Sequence, residues 1–408
     1  MRAGVHLTLV VPDAWPERGM EVDLSPEQFT IIELPVLRAG DVNRHRYRSL
    51  DDLRQALDLV QPDLIDLHEE PFSLATRQWL AVAQGRPTVC YTAQNVDKRF
   101  PPPFAQFETG AFRQLAGIYA CSAQAAAVVR GKGFNGPLQV LPLGLDQDMF
   151  RAGEQDPSPD TLSLGLVGRL VPEKGVLDAV RVLALIRRTR AARLIVMGQG
   201  PMEAPAGELA RELGVLQHVE FRPWNDGASI ANLYRQLDVV LVPSVATATW
   251  AEQFGRVITE GQASGALTAG YASGAIPEVM GRAGITVPEN AYEDLARGIL
   301  AIYRDDSRWA VLRSEGLERA SAWHWNRIAE QQISFYVEAL QKGRRDLSLD
   351  PRERRAAAAS EFAPPARLAG GARRPFALPV LRHDNLGTRM LATGLDALAR
   401  LPHKSGTL

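Results

Sequence analysis

Apolar and polar positions alternate in blocks along the chain. Short runs rich in Val, Ile and Leu recur, and most are followed by a stretch with helical spacing. This pattern predicts parallel strands with helices on both sheet faces. In the first half the runs are Val5–Val11, Phe29–Leu34, Asp63–Leu67, Pro87–Thr92, Gly117–Cys121 and Leu138–Pro142. Between them, Asp51–Val60 reads as a helix with Ser49 as its N-cap. The second half repeats the pattern with strands at Thr161–Val167, Ala192–Met197, His218–Phe221, Asp238–Pro243 and Ala266–Gly270. Helices over Tyr292–Arg304, Asp306–Ala320 and Trp323–Leu340 follow.

Punctuation divides this series. Arg151–Asp160 is polar, with one Gly and two Pro, and reads as a linker. The expected organisation is an N-terminal α/β domain over 1–150, a linker over 151–160, a C-terminal domain over 161–322 and a helix over 323–342 that packs back on the N-terminal domain. A basic low-complexity tail over 343–408 completes it. The tail holds Arg-Glu-Arg-Arg, a four-Ala run, Pro-Pro and Gly-Gly, which predicts disorder. Leu391, Leu395 and Leu398 within it fall at helical spacing. The first run, Val5–Val11, feeds Pro12–Gly19 and then another strand, not the glycine-containing turn and helix that usually open such a domain. The expectation is that it is a second strand, with its preceding βα unit encoded upstream.

Length and composition add limits. A chain of 408 residues is too long for one ordinary core. No apolar run approaches the roughly 20 residues of a membrane span, and Met1-Arg-Ala-Gly4 leads directly to a strand without a secretory leader. A cytoplasmic location follows, with peripheral contact at the inner membrane face. Cys90 and Cys121 read as two buried thiols. The net charge of −1 conceals thirteen Lys and Arg against six Asp and Glu from Gln341 onward. The body is therefore acidic, which argues against a nucleic-acid partner.

Candidate chemistry lies at the predicted carboxyl ends of the strands, where α/β proteins place ligands. Arg169 and Lys174, in Gly168-Arg-Leu-Val-Pro-Glu-Lys-Gly175, put two cations where a diphosphate fits, and Lys174 is one of only five lysines. Glu252 and Glu260 are separated by seven residues, with a helix expected to start near Phe254 and to carry Glu260 two turns in. Eight helical steps span roughly 12 Å, beyond the about 5–9.5 Å of a glycosidase acid/base pair. The two carboxylates therefore read as hydroxyl-binding groups at opposite ends of one ligand. The helix N-terminus beside Phe254 and Gly255 adds unpaired N–H groups, and Gly255 permits close approach. Together these can stabilise a leaving diphosphate without a metal. Asp146 and Asp148 are too isolated to suggest a metal site.

Gly168–Gly175, Met197-Gly-Gln-Gly-Pro201, Glu252–Glu260 and Ser273-Gly-Ala-Ile-Pro-Glu278 resemble successive motifs of the retaining glycosyltransferases of family 4. The resemblance extends from about Pro62 to Leu340. It implies a GT-B fold, in which two Rossmann-like α/β domains face each other across a cleft. It implies a donor that is a nucleoside diphosphate sugar of UDP or GDP type, no other cofactor, and a glycan, lipid or small-molecule acceptor in envelope or glycan biosynthesis. By the same resemblance Arg169 and Lys174 hold the diphosphate, Glu252 the transferred sugar and Glu260 the ribose. Gly198 and the Phe254 and Gly255 amides line the donor site, and the turn Phe221-Arg222-Pro223-Trp224 receives the base through its main chain. His68, in Asp66-Leu-His-Glu-Glu-Pro71, implies a catalytic imidazole facing the donor from the N-terminal domain. Gly144 resembles the interdomain turn, although Leu143 stands where the family more often has Asn. Two basic clusters, Arg44-His-Arg46-Tyr-Arg48 and Lys98-Arg99, suggest an acceptor or membrane patch. The competing readings are a GT-B sugar-nucleotide epimerase and a non-catalytic nucleotide-sugar-binding partner.

Overall fold

The computed structural model describes residues 5–15, 29–41, 44–153, 161–224, 226–303 and 305–348. The start of the chain, most of the expected linker, and the tail beyond Ser348, with Leu391, Leu395 and Leu398, lie outside the described residues.

The N-terminal half runs β1 (Thr8–Pro12), β2 (Thr30–Leu34), β3 (Val36–Leu37), β4 (Arg46–Tyr47), α1 (Leu50–Val60), β5 (Ile65–Leu67), α2 (Leu74–Val82), β6 (Thr88–Thr92), α3 (Phe104–Phe112), β7 (Gly117–Ala120), α4 (Ala123–Gly131) and β8 (Leu138–Val140). Strands β5-β6-β7-β8 form one parallel sheet, and β1 pairs with β2, also in parallel, as a separate ladder. The short antiparallel pair β3–β4 has too few residues to show an alternation in the sequence. Ser49 caps α1, its Oγ accepting from Asp51 N at 3.0 Å.

The C-terminal half runs β9 (Leu162–Val167), α5 (Val176–Arg187), β10 (Ala192–Met197), α6 (Glu203–Glu212), β11 (Val219–Arg222), α7 (Gly227–Tyr234), β12 (Val239–Val242), α8 (Arg256–Ala263), β13 (Leu267–Tyr271), α9 (Ile276–Met280), β14 (Gly284–Val287), α10 (Tyr292–Tyr303), α11 (Asp306–Ser321) and α12 (Trp325–Ser348). Its sheet is parallel throughout, in the order β11-β10-β9-β12-β13-β14. Successive residues of β12 enter opposite apolar clusters, Val239 and Leu241 on one face, Val240 and Val242 on the other. A strand covered on both faces reads as a continuous apolar run for this reason. The edge strand β14 escapes that signature, because Gly-Ile-Thr-Val is short and its Thr is exposed.

α12 crosses to the N-terminal half. Phe335 lies edge-on to Tyr119 with ring centroids 5.8 Å apart, and Phe335 and Ala339 share a buried cluster with Val89 and Leu141. The crossing starts where Leu145 N donates to Trp323 O at 2.7 Å. Gly144 is required there, since a Cβ would lie 2.2 Å from the Trp325 ring.

Candidate active site

Three loops at the carboxyl ends of β9, β10 and β11 are stitched backbone to backbone. Gly168 N donates to Met197 O at 2.9 Å, Leu170 N to Gln199 O at 2.9 Å, and Gly198 N to Arg222 O at 3.0 Å. Gly198 (φ 151°) lies so close to its neighbour that a Cβ would meet Gly168 O at 1.8 Å. The glycines of Met197-Gly-Gln-Gly-Pro201 thus serve close main-chain packing.

The loop after β9 ends in a 3-10 turn over Pro172–Lys174, closed by Gly175 in the left-handed region. That turn delivers Lys174 to the loop after β12. Lys174 Nζ lies 2.6 Å from Glu252 Oε2 and 5.3 Å from the centroid of the Trp250 ring. Ser244 Oγ donates to the same carboxylate oxygen at 2.9 Å. Glu252 is buried, with 7% exposure, so its charge needs these partners. Arg169 is exposed and makes no side-chain ion pair among the described residues.

α8 starts at Arg256, two residues past Phe254. Gly255 precedes it at φ 83°, a left-handed cap that stops the helix from extending backward. Glu260 is therefore just past the first turn, not two turns in. Phe254 is buried and packs edge-on to Trp323 at 5.6 Å, so its side chain serves the core. Glu260 is also buried. Its Oε2 accepts from Tyr234 OH at 3.0 Å and its Oε1 lies 3.2 Å from Arg256. Burial raises the Glu260 pKa above the usual carboxylate value, partly offset by Arg256 and Tyr234. Glu252 and Glu260 have no hydrogen-bond or ion-pair partner in common among the described residues.

The Arg222 side chain is engaged elsewhere. Its guanidinium makes two bonds to Glu220, at 2.6 and 2.9 Å, because residues two apart on a strand share a face. Arg222 offers this region its main chain, and Pro223 and Trp224 beside it are exposed.

On the N-terminal side, His68 follows β5. Its Nε2 lies 2.9 Å from Tyr119 OH and 3.4 Å from Asp66 Oδ2, and its ring stacks on Tyr91 at 5.7 Å. Tyr336 OH and Gln332 Nε2, both from α12, also donate to Asp66 Oδ2. The hydrogen bond to Asp66 raises the His68 pKa above its ordinary value, although the side chain itself is largely exposed. His68 makes no hydrogen bond to Arg169, Lys174, Glu252 or Glu260.

The N-terminal residue that does reach the Lys174–Glu252 pair is Asn95, whose Nδ2 donates to Glu252 O at 2.7 Å. Two further contacts join the halves here. Cys121 Sγ donates to Gln253 O at 3.4 Å, and Ala123 N donates to both Glu278 carboxylate oxygens at 2.9 and 3.0 Å. Sequence reasoning missed Asn95, since a Gln-Asn pair after a strand reads as an ordinary turn.

The remaining candidates are dispersed. In Arg44–Arg48 the side chains alternate: His45 and Tyr47 are buried, Arg44 pairs with Asp41 at 2.6 Å, and Arg48 is exposed. His45 Nε2 lies 2.9 Å from Glu69 Oε1, so this segment is partly structural. Lys98 is half-buried and Arg99 exposed. Asp146 Oδ1 accepts from the backbone of Asp148 and Met149, a turn cap. No group of three potential metal ligands occurs among the described residues. Cys90 and Cys121 are free and buried, and no described helix is long and apolar enough to cross a membrane.

Two α/β halves with parallel sheets, joined by a returning C-terminal helix, define the GT-B class. Residues 1–149 match the family described as Glycosyltransferase Family 4, and residues 151–319 match Glycosyl transferases group 1. The chain belongs to the family 4 glycosyltransferases. Among solved structures it is similar to sucrose-phosphate synthase from Thermosynechococcus elongatus, with a TM-score of 0.64 and 20% identity over 83% of this chain and 90% of that one. It is also similar to Anabaena HepE in complex with UDP-glucose, with a TM-score of 0.59 and 19% identity over 75% and 86% of the two chains. Among curated relatives, D-inositol 3-phosphate glycosyltransferase of Actinosynnema mirum is 31% identical over 55% of each chain. That of Stackebrandtia nassauensis is 30% identical over 50% of this chain and 49% of its own. The chain spans about half the length of the curated relatives it matches.

Proposed function

We propose that this protein transfers a hexosyl unit, with retention and without a metal, from a nucleoside diphosphate sugar to a glycan, lipid or small-molecule acceptor. The observation that carries this reading is the Lys174–Glu252 pair, with its carboxylate buried, at the carboxyl edge of the C-terminal sheet. An ammonium has three donors, and Glu252 engages one of them, leaving Lys174 able to reach a phosphate beside the carboxylate that takes the sugar. Glu260, capped by Tyr234, suits the ribose hydroxyls, and Arg169 suits the diphosphate. HepE was solved with UDP-glucose, which favours UDP as the first nucleotide to test. The curated relatives' name makes a polyol phosphate a reasonable first acceptor.

In this reading the bond between the anomeric carbon and the β-phosphate oxygen breaks, its electron pair leaving with the phosphate. The acceptor oxygen bonds to the same carbon from the same face. Its proton passes to the departing phosphate oxygen, and the nucleoside diphosphate leaves. Lys174 and Arg169 offset the charge that develops on the phosphate, where fixed cations lower a barrier most. An epimerase would need further acid/base carboxylates beside Glu252, and its described neighbours are Lys174 and Ser244 instead.

Differential scanning fluorimetry with UDP-, GDP- and ADP-sugars tests the donor assignment. A tightly bound donor raises the melting temperature in proportion to the logarithm of its concentration over Kd. One nucleotide series is expected to shift it. No shift with any of them would overturn the reading.

A further inference from the structure

The Glu252 carbonyl is held from both halves of the protein. Asn95 Nδ2, from the loop after β6, donates to it at 2.7 Å, and Ala275 N, ahead of α9, donates at 2.9 Å. Both lone pairs are therefore used. Gly274 (φ 54°) makes the second bond possible, since a Cβ there would lie 2.2 Å from the same oxygen. Asn95 is itself buried, at 4% exposure, with Gln124 Oε1 3.4 Å from its amide.

The loop that carries Asn95 is anchored by Glu70, whose carboxylate accepts from Thr92 Oγ1 at 2.6 Å and Ala93 N at 2.9 Å. Thr92 Oγ1 in turn accepts from Gln94 N at 3.1 Å. Hydrogen bonds from Glu70 thus fix the Thr92–Gln94 stretch, and the covalent chain carries this anchoring to Asn95 and its bond to the Glu252 backbone. The Glu252 side chain in turn meets Lys174. The segment Asp66–Pro71, singled out for His68, reaches the donor-side pair through Glu70.

We infer that Asn95 is a positioning residue: it sets the Glu252 carboxylate against Lys174 from the opposite domain, so that the donor-side pair is correctly placed only when the two domains are together. This rests on the proposed transferase reading for its effect on rate, though not for its effect on geometry. Loss of the amide donor leaves the Glu252 carbonyl with one partner and frees its main chain to shift. A shift near 1 Å at a reacting centre is enough to cost rate heavily.

The test uses the full chain and the variants Asn95→Ala and Asn95→Asp. Nucleoside diphosphate release from UDP-glucose and from GDP-mannose is followed. Rates are normalised to nucleotide-binding sites counted by calorimetry with UDP and GDP, so that misfolded protein drops out. The expected result is a fall in kcat of about tenfold or more, with nucleotide Kd within about threefold of wild type. An unchanged kcat would overturn the inference, as would a loss confined to Kd. Crystal structures of wild type and Asn95→Ala give a readout independent of turnover. Opening of the Lys174 Nζ–Glu252 Oε2 contact beyond hydrogen-bond range supports positioning, and an unchanged contact refutes it. If wild type releases nucleotide from neither sugar, the transferase reading fails, and the crystallographic distance alone decides the inference.

Discussion

Lys174 and Glu252, 78 residues apart in the chain, meet at 2.6 Å in the C-terminal domain. Removing the ammonium takes a cation from the departing phosphate and strips a buried carboxylate of its counter-charge. Lys174→Ala is expected to lower kcat by about 10²–10³, the cost of one lost transition-state electrostatic donor. Steady-state nucleotide release measures it, and near-normal turnover would refute the assigned role.

Glu260 makes a separate prediction, about donor affinity. Glu260→Gln keeps the shape and removes the charged acceptor proposed for the ribose. UDP binding is expected to weaken about tenfold or more, as for a lost hydrogen bond to a charged group, with kcat nearly unchanged. Tyr234→Phe leaves the carboxylate one donor short and is expected to cost about 1–3 kcal/mol of stability. Calorimetry and urea unfolding read the two effects.

His68 is expected to titrate above its ordinary 6.5, because its bond to Asp66 favours the imidazolium. The sign follows from linkage. A histidine whose pKa is higher folded than unfolded stabilises fully below the unfolded value, and loses that contribution as pH rises through the folded one. NMR titration of the imidazole checks the direction, and Asp66→Asn should lower the value. His68→Ala should reduce kcat/KM about tenfold if the imidazolium contacts donor phosphate; an unchanged value would remove it from the site.

Asp238 predicts the opposite dependence from that of an ordinary paired carboxylate. Burial pushes it up to about 6 from 3.8, although Ser163 N donates to it at 2.6 Å. Between these values the folded state binds the proton and the unfolded state does not. Stability therefore falls as pH rises through that window, by about 3 kcal/mol in all. Asp238→Asn lacks this loss. The stability of wild type minus that of the variant, from urea unfolding, should drop by about this amount between pH 4 and pH 7. A constant difference would contradict the assignment.

Much of the C-terminal half is legible because a sheet buried on both faces leaves unbroken apolar runs, as in Val239–Val242. The Ser49 cap is legible because a side chain and backbone two residues apart decide it. That Glu252 lies in a loop and Glu260 on a helix could be read from the sequence. Their partners could not, because Lys174, Tyr234 and Asn95 arrive from distant segments. The onset of α8 depends on the left-handed Gly255, and a glycine in sequence is equally compatible with a first helical turn. His68 drew notice as a lone histidine at a strand end, but Tyr336 and Gln332 reach Asp66 beside it from α12, some 270 residues later. The Arg222–Glu220 pair was open to inspection, since strand periodicity places both side chains on one face.

The central claim is retaining transfer from a nucleotide sugar at the Lys174–Glu252 site. It is tested most directly by ¹H NMR of the sugar released or transferred from UDP-glucose at early times, in wild type and in Lys174→Ala. The account predicts that wild type gives the α-anomer first, together with UDP, and that the variant gives neither at a comparable rate. A β-anomeric first product, or equal product from both proteins, would contradict it.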